Sequence, residues 1–481
     1  MTQLLWLRSD LRCSDNTALA AAMAAGPTVA LYIITPGQWL EHDDAPCKVD
    51  FWLRNLHSLQ HSLAALNVPL LLRQCDNWQQ VPELLLQLST ELQISAVHSN
   101  QEYGIHETRR DQASAQLLEQ QGIAWHSHFD QLLFKPGTLL TQSGNYFQVF
   151  SQFRKVCRQR LHLSLPACLP YPSAQAPLAL ASDRLPDSVA GFATPDEALR
   201  RLWPAGEAEA QRRLQCFADE QMHAYERQRD LPAVPGTSQL SAYLAAGVIS
   251  VRQCLHAALQ ANRGEFDSGN PGIVCWINEL LWREFYKHVL VGYPRVSRHR
   301  AFRVQTEALG WRDAPEELLA WQQGRTGIPL VDAAMRQLHA TGWMHNRLRM
   351  VVAMFLTKNL LIDWREGERY FMRQLIDGDL AANNGGWQWS ASTGTDAVPY
   401  FRIFNPLNQA QRFDAEGRFI RHWLPELAHL SDRELHNPQA VDDLFEQRAY
   451  PAPMVDLRAS RERALQAFKQ LPRLTQEFPH V

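Results

Sequence analysis

Near residue 165 the periodicity of the chain changes, and that change limits its architecture more than any bulk property does. Before it, short apolar runs at Leu4–Leu7, Val29–Ile34, Leu70–Leu72, Ile94–Val97 and Ile123–Trp125 alternate with helical patterns such as Phe51–Leu66 and Val81–Leu92. Strand-helix alternation of this kind predicts a parallel sheet covered on both faces. From Leu165 to Pro195, prolines at 166, 170, 172, 177, 186 and 195 interrupt any regular pattern, which reads as a linker. From Asp196 to about Phe468 the periodicity is helical almost throughout. The expected fold is an α/β doubly wound parallel-sheet domain over 1–130, an interdomain linker over 131–195, and a large all-α domain over 196–475. A chain of 481 residues is too long for one ordinary core, in keeping with that division.

Several function classes drop out early. No G-x-G-x-x-G or G-x-x-x-x-G-K-[ST] follows the apolar runs, so the usual dinucleotide and P-loop sites lack support. The eight cysteines form no C-x-x-C pair, which removes the common zinc and dithiol signatures and fits reduced thiols in a cytosolic protein. Arg8, Asp10 and Arg12 break any apolar signal segment, and no run approaches the roughly 18 apolar residues of a membrane helix. The expected location is the cytoplasm. A formal net charge of -3 excludes a strongly basic coat protein but not a local basic groove.

Fifteen tryptophans are present, nine of them between Trp276 and Trp423. Core packing accounts for many tryptophans; stacking or electron transfer is the sharper alternative. On a helix, Trp276, Glu279, Trp282, Arg283 and Tyr286 share one face. From Arg283 to Arg303, six cations (283, 287, 295, 298, 300, 303) accompany one acid, Glu284. That composition suits a phosphate-tracking groove with stacking surfaces, or a solvated basic face. Asn346, Arg349 and Met350 share another helical face, a mixture that suits a ligand better than a dry core, although an ordinary polar surface accounts for most such triples. Asp377 and Asp379 open like an EF-hand, but Ala381 and Ala382 stand where an oxygen ligand and Gly belong, so no metal site is expected. These carboxylates are placed to accept hydrogen bonds from a ribose, a ring N–H or an Arg instead. If helical, Trp387 and Trp389 diverge by about 200° and serve different surfaces. Gly236-Thr-Ser-Gln-Leu-Ser241 precedes a helical pattern, as a phosphate-binding helix start or a plain N-cap would.

Together these segments resemble the photolyase–cryptochrome family, nearest to the bacterial class I cyclobutane pyrimidine dimer photolyases. The resemblance runs from Trp6-Leu-Arg-Ser-Asp-Leu-Arg12 with Asp15-Asn16, through Gly236–Ser241 and Trp276–Tyr286. It is strongest over Thr326-Gly-Ile-Pro-Leu-Val-Asp-Ala-Ala-Met-Arg336, Gly342–Met350, and Asp363-Trp-Arg-Glu-Gly-Glu-Arg369 through Tyr400-Phe-Arg-Ile-Phe-Asn-Pro406.

The resemblance implies FAD, active when reduced, in the helical domain. It implies that Tyr225, Thr237, Ser238, Gln239, Leu240 and Ser241 hold the phosphates. Trp276, Arg283, Asn346, Arg349, Asp377, Gly378 and Asp379 would line the rest of the cofactor, and Asn383 would face flavin N5. Trp387, Trp364 and Trp311 match the family's electron-hopping chain, a role compatible with core packing. UV-damaged DNA is the implied partner, with the dimer flipped into a cavity. Glu279, Trp282, Met350 and Trp389 match the lesion pocket, and Arg283, Asn346, Arg347 and Arg402 the DNA contacts around it. In the implied reaction, light-excited reduced flavin lends an electron to the dimer, the cyclobutane ring splits and the electron returns. Glu279 would hydrogen-bond the pyrimidine edge, Trp282 and Trp389 would stack on bases, and Arg283 and Arg349 would favour an anionic flavin. No membrane or obligate protein partner is implied, and a monomer suffices.

The antenna region departs from the family pattern. His106-Glu107 stands where folate-binding relatives have Asn-Glu, and Arg298 where a Lys is expected. The expected antenna is methenyltetrahydrofolate, contacted by His42, Glu107 and Arg298; a deazaflavin or an empty cleft is the alternative. The competing functions are a cryptochrome-like photoreceptor, a (6-4) photolyase and a light-independent nucleic-acid-binding module. Against the first stand Asn383 and the absence of a long tail before Val481; against the second, Met350 at a position where a His is expected; against the third, the intact Trp311, Trp364, Trp387 set.

Overall fold

A computed structural model describes residues 1–396, 402–438 and 450–472. Two compact units emerge: Met1–Glu226 with Thr237–Pro294 and Leu375–Leu380, and Arg227–Gly236 with Arg295–Gln374 and Ala381–Val481. These units cut the chain differently from the segments 1–130, 131–195 and 196–475.

The first unit holds a five-stranded sheet in the order β3-β2-β1-β4-β5, with β1 Thr2–Leu7, β2 Thr28–Ile34, β3 Leu70–Gln74, β4 Ile94–Asn100 and β5 Ala124–His128. All neighbours are parallel. β2 is buried along its whole length, which is why its sequence reads as one apolar run rather than an alternation. Helices Thr17–Ala25, Pro46–Ala65, Val81–Glu91 and Ile105–Glu119 connect the strands. β5 starts one residue later than its apolar run, and its exposed Ala-Trp-His-Ser-His sequence marks an edge strand.

The opposite edge, β3, is covered by the proline-rich segment. Ser182 Oγ accepts from Leu70 N at 3.0 Å, and the Asp183 carboxylate accepts from Leu72 N at 2.9 Å. Gln175 Nε2 donates to the carbonyls of Thr28 and Asn67. This linker is a strap that satisfies backbone groups an open edge would leave exposed.

At the carboxyl end of β1 lies a buried ionic cluster. Arg12 meets Asp130 at 2.5 Å, and Arg252 meets Asp130 at 2.9 Å and Asp15 at 2.8 Å. Ser250, the N-cap of helix Val251–Ala261, donates to Asp15 at 2.5 Å. Gly247 has φ +65°, and a Cβ there would stand 2.0 Å from the carbonyl of Ser9, so this junction requires glycine. The Trp6–Arg12 segment with Asp15 thus joins the α/β layers to helices more than 200 residues later in the chain.

In the second unit, Asp332 anchors the Thr326–Arg336 segment. Its carboxylate accepts from Thr326 N and Oγ1, both at 2.7 Å, from Gly327 N at 3.0 Å and from Tyr450 OH at 2.5 Å. Among the described residues, no helix is long and apolar enough to cross a membrane.

Candidate functional site

The first unit places one group of expected residues on helix Pro271–Gly292, capped by Asn270, which accepts from Gly272 N and Ile273 N. Trp276 is buried; Glu279, Trp282, Arg283 and Tyr286 are half-buried. Tyr225 and Trp276 both pack against the ring of Phe217, which lies 5.9 Å from the first and 5.4 Å from the second. Trp282 is stacked on Phe150 at 3.7 Å between centroids, so one face of its indole is occupied within the protein. Arg283 Nη1 donates to the carbonyl of Gln131 at 2.8 Å. Lys287 Nζ meets Asp379 Oδ2 at 2.5 Å, which ties the Asp377-Gly378-Asp379 turn to this helix.

Thr237–Ser241 leads into the short helix Ser241–Ala245, whose N-cap, Leu240, offers no side-chain cap. Gln239 turns through φ +49° just before it. The first-turn N–H groups of that helix therefore have no side-chain acceptor at the cap, which fits a cofactor phosphate beside the hydroxyls of Thr237, Ser238 and Ser241.

The run of cations is divided between the two units. Arg283 and Lys287 belong to the first, and Arg295, Arg298, Arg300 and Arg303 to the second. In the second unit Glu307 faces Arg295 at 3.7 Å, Arg300 at 3.9 Å and Arg365 at 2.7 Å. A window ending at Arg303 misses this acid, so the sequence overstates the free positive charge.

The second unit carries another group of expected residues on three helices. His345 caps helix Asn346–Met354 by accepting from Arg347 N at 3.2 Å. Asn346 is exposed, while Arg347, Arg349 and Met350 are half-buried. Arg349 Nε donates to the carbonyl of Met344 at 2.8 Å. Helix Trp364–Met372 begins at Asp363, whose carboxylate accepts from Arg365 N. It carries Gly367 and Glu368 under helix Leu380–Ala391, which holds Asn383, Trp387 and Trp389. Asn383 Nδ2 donates to the backbone carbonyl of Glu368 at 2.9 Å, and Asn384 Nδ2 donates to its carboxylate at 2.8 Å. The amide of Asn383 is thereby oriented with its carbonyl oxygen turned away from that contact. A Cβ at Gly386 would meet no atom within 4 Å, so this face of the helix adjoins open space. Oriented amide, open face and buried indole together fit a planar aromatic cofactor.

Trp387 is 2% and Trp364 0% exposed, whereas Trp311 is half-buried. Trp387 and Trp389 lie on one helix and differ in burial, as their angular separation requires. Arg402 is exposed; Tyr400 and Phe401 lie outside the described residues.

Of the antenna residues, His42 and Glu107 are in the first unit and Arg298 in the second. The His42 ring lies 4.8 Å from Trp78 and 5.6 Å from His106, the neighbour of Glu107. Burial lowers the His42 pKa. Burial and then Glu102 push Glu107 up to about 6.

Glu368, Gly367 and Phe150 are contributors to which the sequence alone assigns no role, and Lys287 enters the sequence reading only as one of six cations. Glu368 and Gly367 stand inside the Asp363–Arg369 motif; Phe150 carries no local signal.

Residues 3–173 match the DNA photolyase family, and residues 276–470 match the FAD binding domain of DNA photolyase. The chain is 43% identical over 476 residues to the deoxyribodipyrimidine photo-lyase of Escherichia coli strain K12, covering 97% of this chain and 98% of that one. Among solved structures, a bacterial class III photolyase from Agrobacterium tumefaciens superimposes with a TM-score of 0.88 at 35% identity, covering 97% of each chain. A cryptochrome from Synechocystis sp. PCC6803 does so with a TM-score of 0.85 at 28% identity, covering 97% of this chain and 99% of that one. The chain belongs to the photolyase–cryptochrome family, as an FAD-binding member of the DNA photolyases.

Proposed function

We infer that this chain is a deoxyribodipyrimidine photo-lyase, which uses light and reduced FAD to split cyclobutane pyrimidine dimers in DNA. The observation that carries this conclusion is the end-to-end kinship with an enzyme of that name, over both the sheet-bearing and the helical regions. The bound flavin supplies the light-driven electron transfer.

The chain's own residues bind, orient and polarise. Thr237, Ser238 and Ser241, with the backbone through Gln239 and Leu240 and the Tyr225 hydroxyl, hold the phosphates. Trp276, Arg283, Asn346, Arg349, Asp377, Gly378 and Asp379 line the cofactor. Asn383 presents its carbonyl oxygen to a ring N–H because its amide nitrogen is committed to Glu368. Glu279 hydrogen-bonds the lesion and stabilises charge developing on it. Trp282 offers its remaining face, Trp389 and Met350 complete the pocket, and Arg347 and Arg402 meet the DNA strand. Trp387, Trp364 and Trp311 carry electrons between the flavin and the surface. An antenna folate, methenyltetrahydrofolate, takes the His42 and Glu107 region with Arg298. The enzyme acts as a monomer in the cytoplasm with no obligate protein partner.

Loss of dimers from UV-irradiated DNA, under blue light and in darkness, tests this function. Light-dependent loss is expected; equal loss in darkness contradicts it.

A further inference from the structure

Arg347, proposed to meet DNA, already has an anionic partner. Its Nη2 meets Asp230 Oδ2 at 2.7 Å, and its guanidinium lies 4.5 Å over the ring of Phe413. Arg412 lies 5.0 Å from the centroid of the same ring, and Arg229 Nε stands 4.0 Å from Asp230. One carboxylate thus faces two guanidiniums, and a third lies against the Phe413 ring. The pair is accessible rather than sealed, with the Asp230 side chain 33% and that of Arg347 17% exposed. Arg347 Nε is buried and has no hydrogen-bond partner among the described residues. His345, whose ring accepts the Arg347 N–H, is held neutral by burial, which lowers its pKa to about 4. Asp230 is therefore the anion that holds this guanidinium.

We propose that Asp230 is an internal competitor of DNA phosphate, which occupies Arg347 in the free enzyme and weakens binding to undamaged duplex. Carboxylate and phosphate present similar paired oxygens to an Arg fork, so one can replace the other. A partly exposed ion pair is weak enough to be exchanged. The stack on Phe413 keeps the guanidinium in position while the exchange takes place. Binding to undamaged DNA rests on phosphate contacts almost entirely, so a competitor for one such contact acts most strongly there. The inference rests on Arg347 facing DNA, and the test separates the two.

The experiment measures affinity for an undamaged duplex oligonucleotide across a salt series with FAD-loaded enzyme. Asp230→Asn should tighten binding by about three- to tenfold near 0.1 M salt and steepen the salt slope by about 0.9, the increment of one phosphate contact. Arg347→Ala should weaken binding, and in that background Asp230→Asn should have no such effect. If Asp230→Asn leaves affinity and slope unchanged while Arg347→Ala weakens binding, the competitor role is wrong and the DNA role of Arg347 stands. The competitor role is equally wrong if the gain persists without Arg347, since it then reflects net charge alone. If Arg347→Ala changes nothing, the DNA role fails and the proposal falls with it. Flavin absorbance checks folding, and Asp230→Ser repeats the measurement should the Asn variant not fold.

Discussion

Gly367 lies beneath the indole of Trp387, so close that a Cβ at position 367 would stand 2.1 Å from the Trp387 ring. Only glycine lets helix Trp364–Met372 approach this ring. The adjacent Glu368 then reaches Asn383 and Asn384 on the helix that carries it. Gly367→Ala should destabilise the fold by about 1–3 kcal/mol through overpacking. It should also slow photoreduction of oxidised FAD severalfold, because the indole must move. Trp387→Phe should abolish photoreduction yet spare repair by chemically reduced enzyme. Thermal unfolding and flavin bleaching under blue light check both; photoreduction at the normal rate in Trp387→Phe would remove this residue from the electron path.

Glu279 sits half-buried on helix Pro271–Gly292, three residues from Trp276 and from Trp282 in sequence. Glu279→Ala should cut the repair yield per absorbed photon by about tenfold, roughly one charge-assisted hydrogen bond's worth of stabilisation. Affinity for dimer-containing DNA should fall less. Paired yield and binding measurements decide the point: a loss confined to binding contradicts its role in the reaction.

The architecture was largely legible because both periodicities are strong. All five strands fall on the apolar runs, and β2 and β4 are buried enough to read without alternation. Asn383, Trp364 and Trp387 stand in continuous motifs whose order survives in the fold. Partnerships were harder to read. Glu307, just beyond the positive run, faces Arg295 and Arg300 within it, and Phe150 covers Trp282 from 132 positions earlier. The Thr326–Asp332 and Trp6–Asp15 motifs have structural duties that local spacing does not reveal: one closes a loop on a buried carboxylate, the other joins distant elements.

The buried cluster around Asp130 should dominate the stability of the first unit. Asp130→Ala leaves Arg12 and Arg252 without a shared carboxylate that both hold well below the usual range, down to about 2, against the opposing effect of burial. Removing one partner of such a cluster costs about 3–5 kcal/mol. Chemical denaturation should show a midpoint shift of that size, and a change below about 1 kcal/mol would contradict the assignment.

Glu284 provides a pH signature. It is 0% exposed and accepts from Leu133 N and Phe134 N at 3.0 and 3.2 Å. Burial pushes its pKa up to about 7, outweighing Arg283 and the two N–H donors, against an ordinary value of 4.5. The folded chain therefore keeps a proton that the unfolded chain loses, and the stability due to this group falls as pH rises from about 4.5 to 7. Glu284→Gln should flatten that part of the profile while lowering stability at pH 5 through a lost backbone contact. Unfolding midpoints from pH 5 to 8 test this; an unchanged slope in the variant would refute it.

A defined thymine-dimer oligonucleotide incubated with anaerobically reduced, FAD-loaded protein, under blue light and in darkness, tests light-driven repair itself. Restoration of the dimer to two thymines in the light alone is the predicted result. An intact dimer after illumination, with reduced FAD demonstrably bound, would contradict it and direct attention to the (6-4) lesion and then to a photoreceptor.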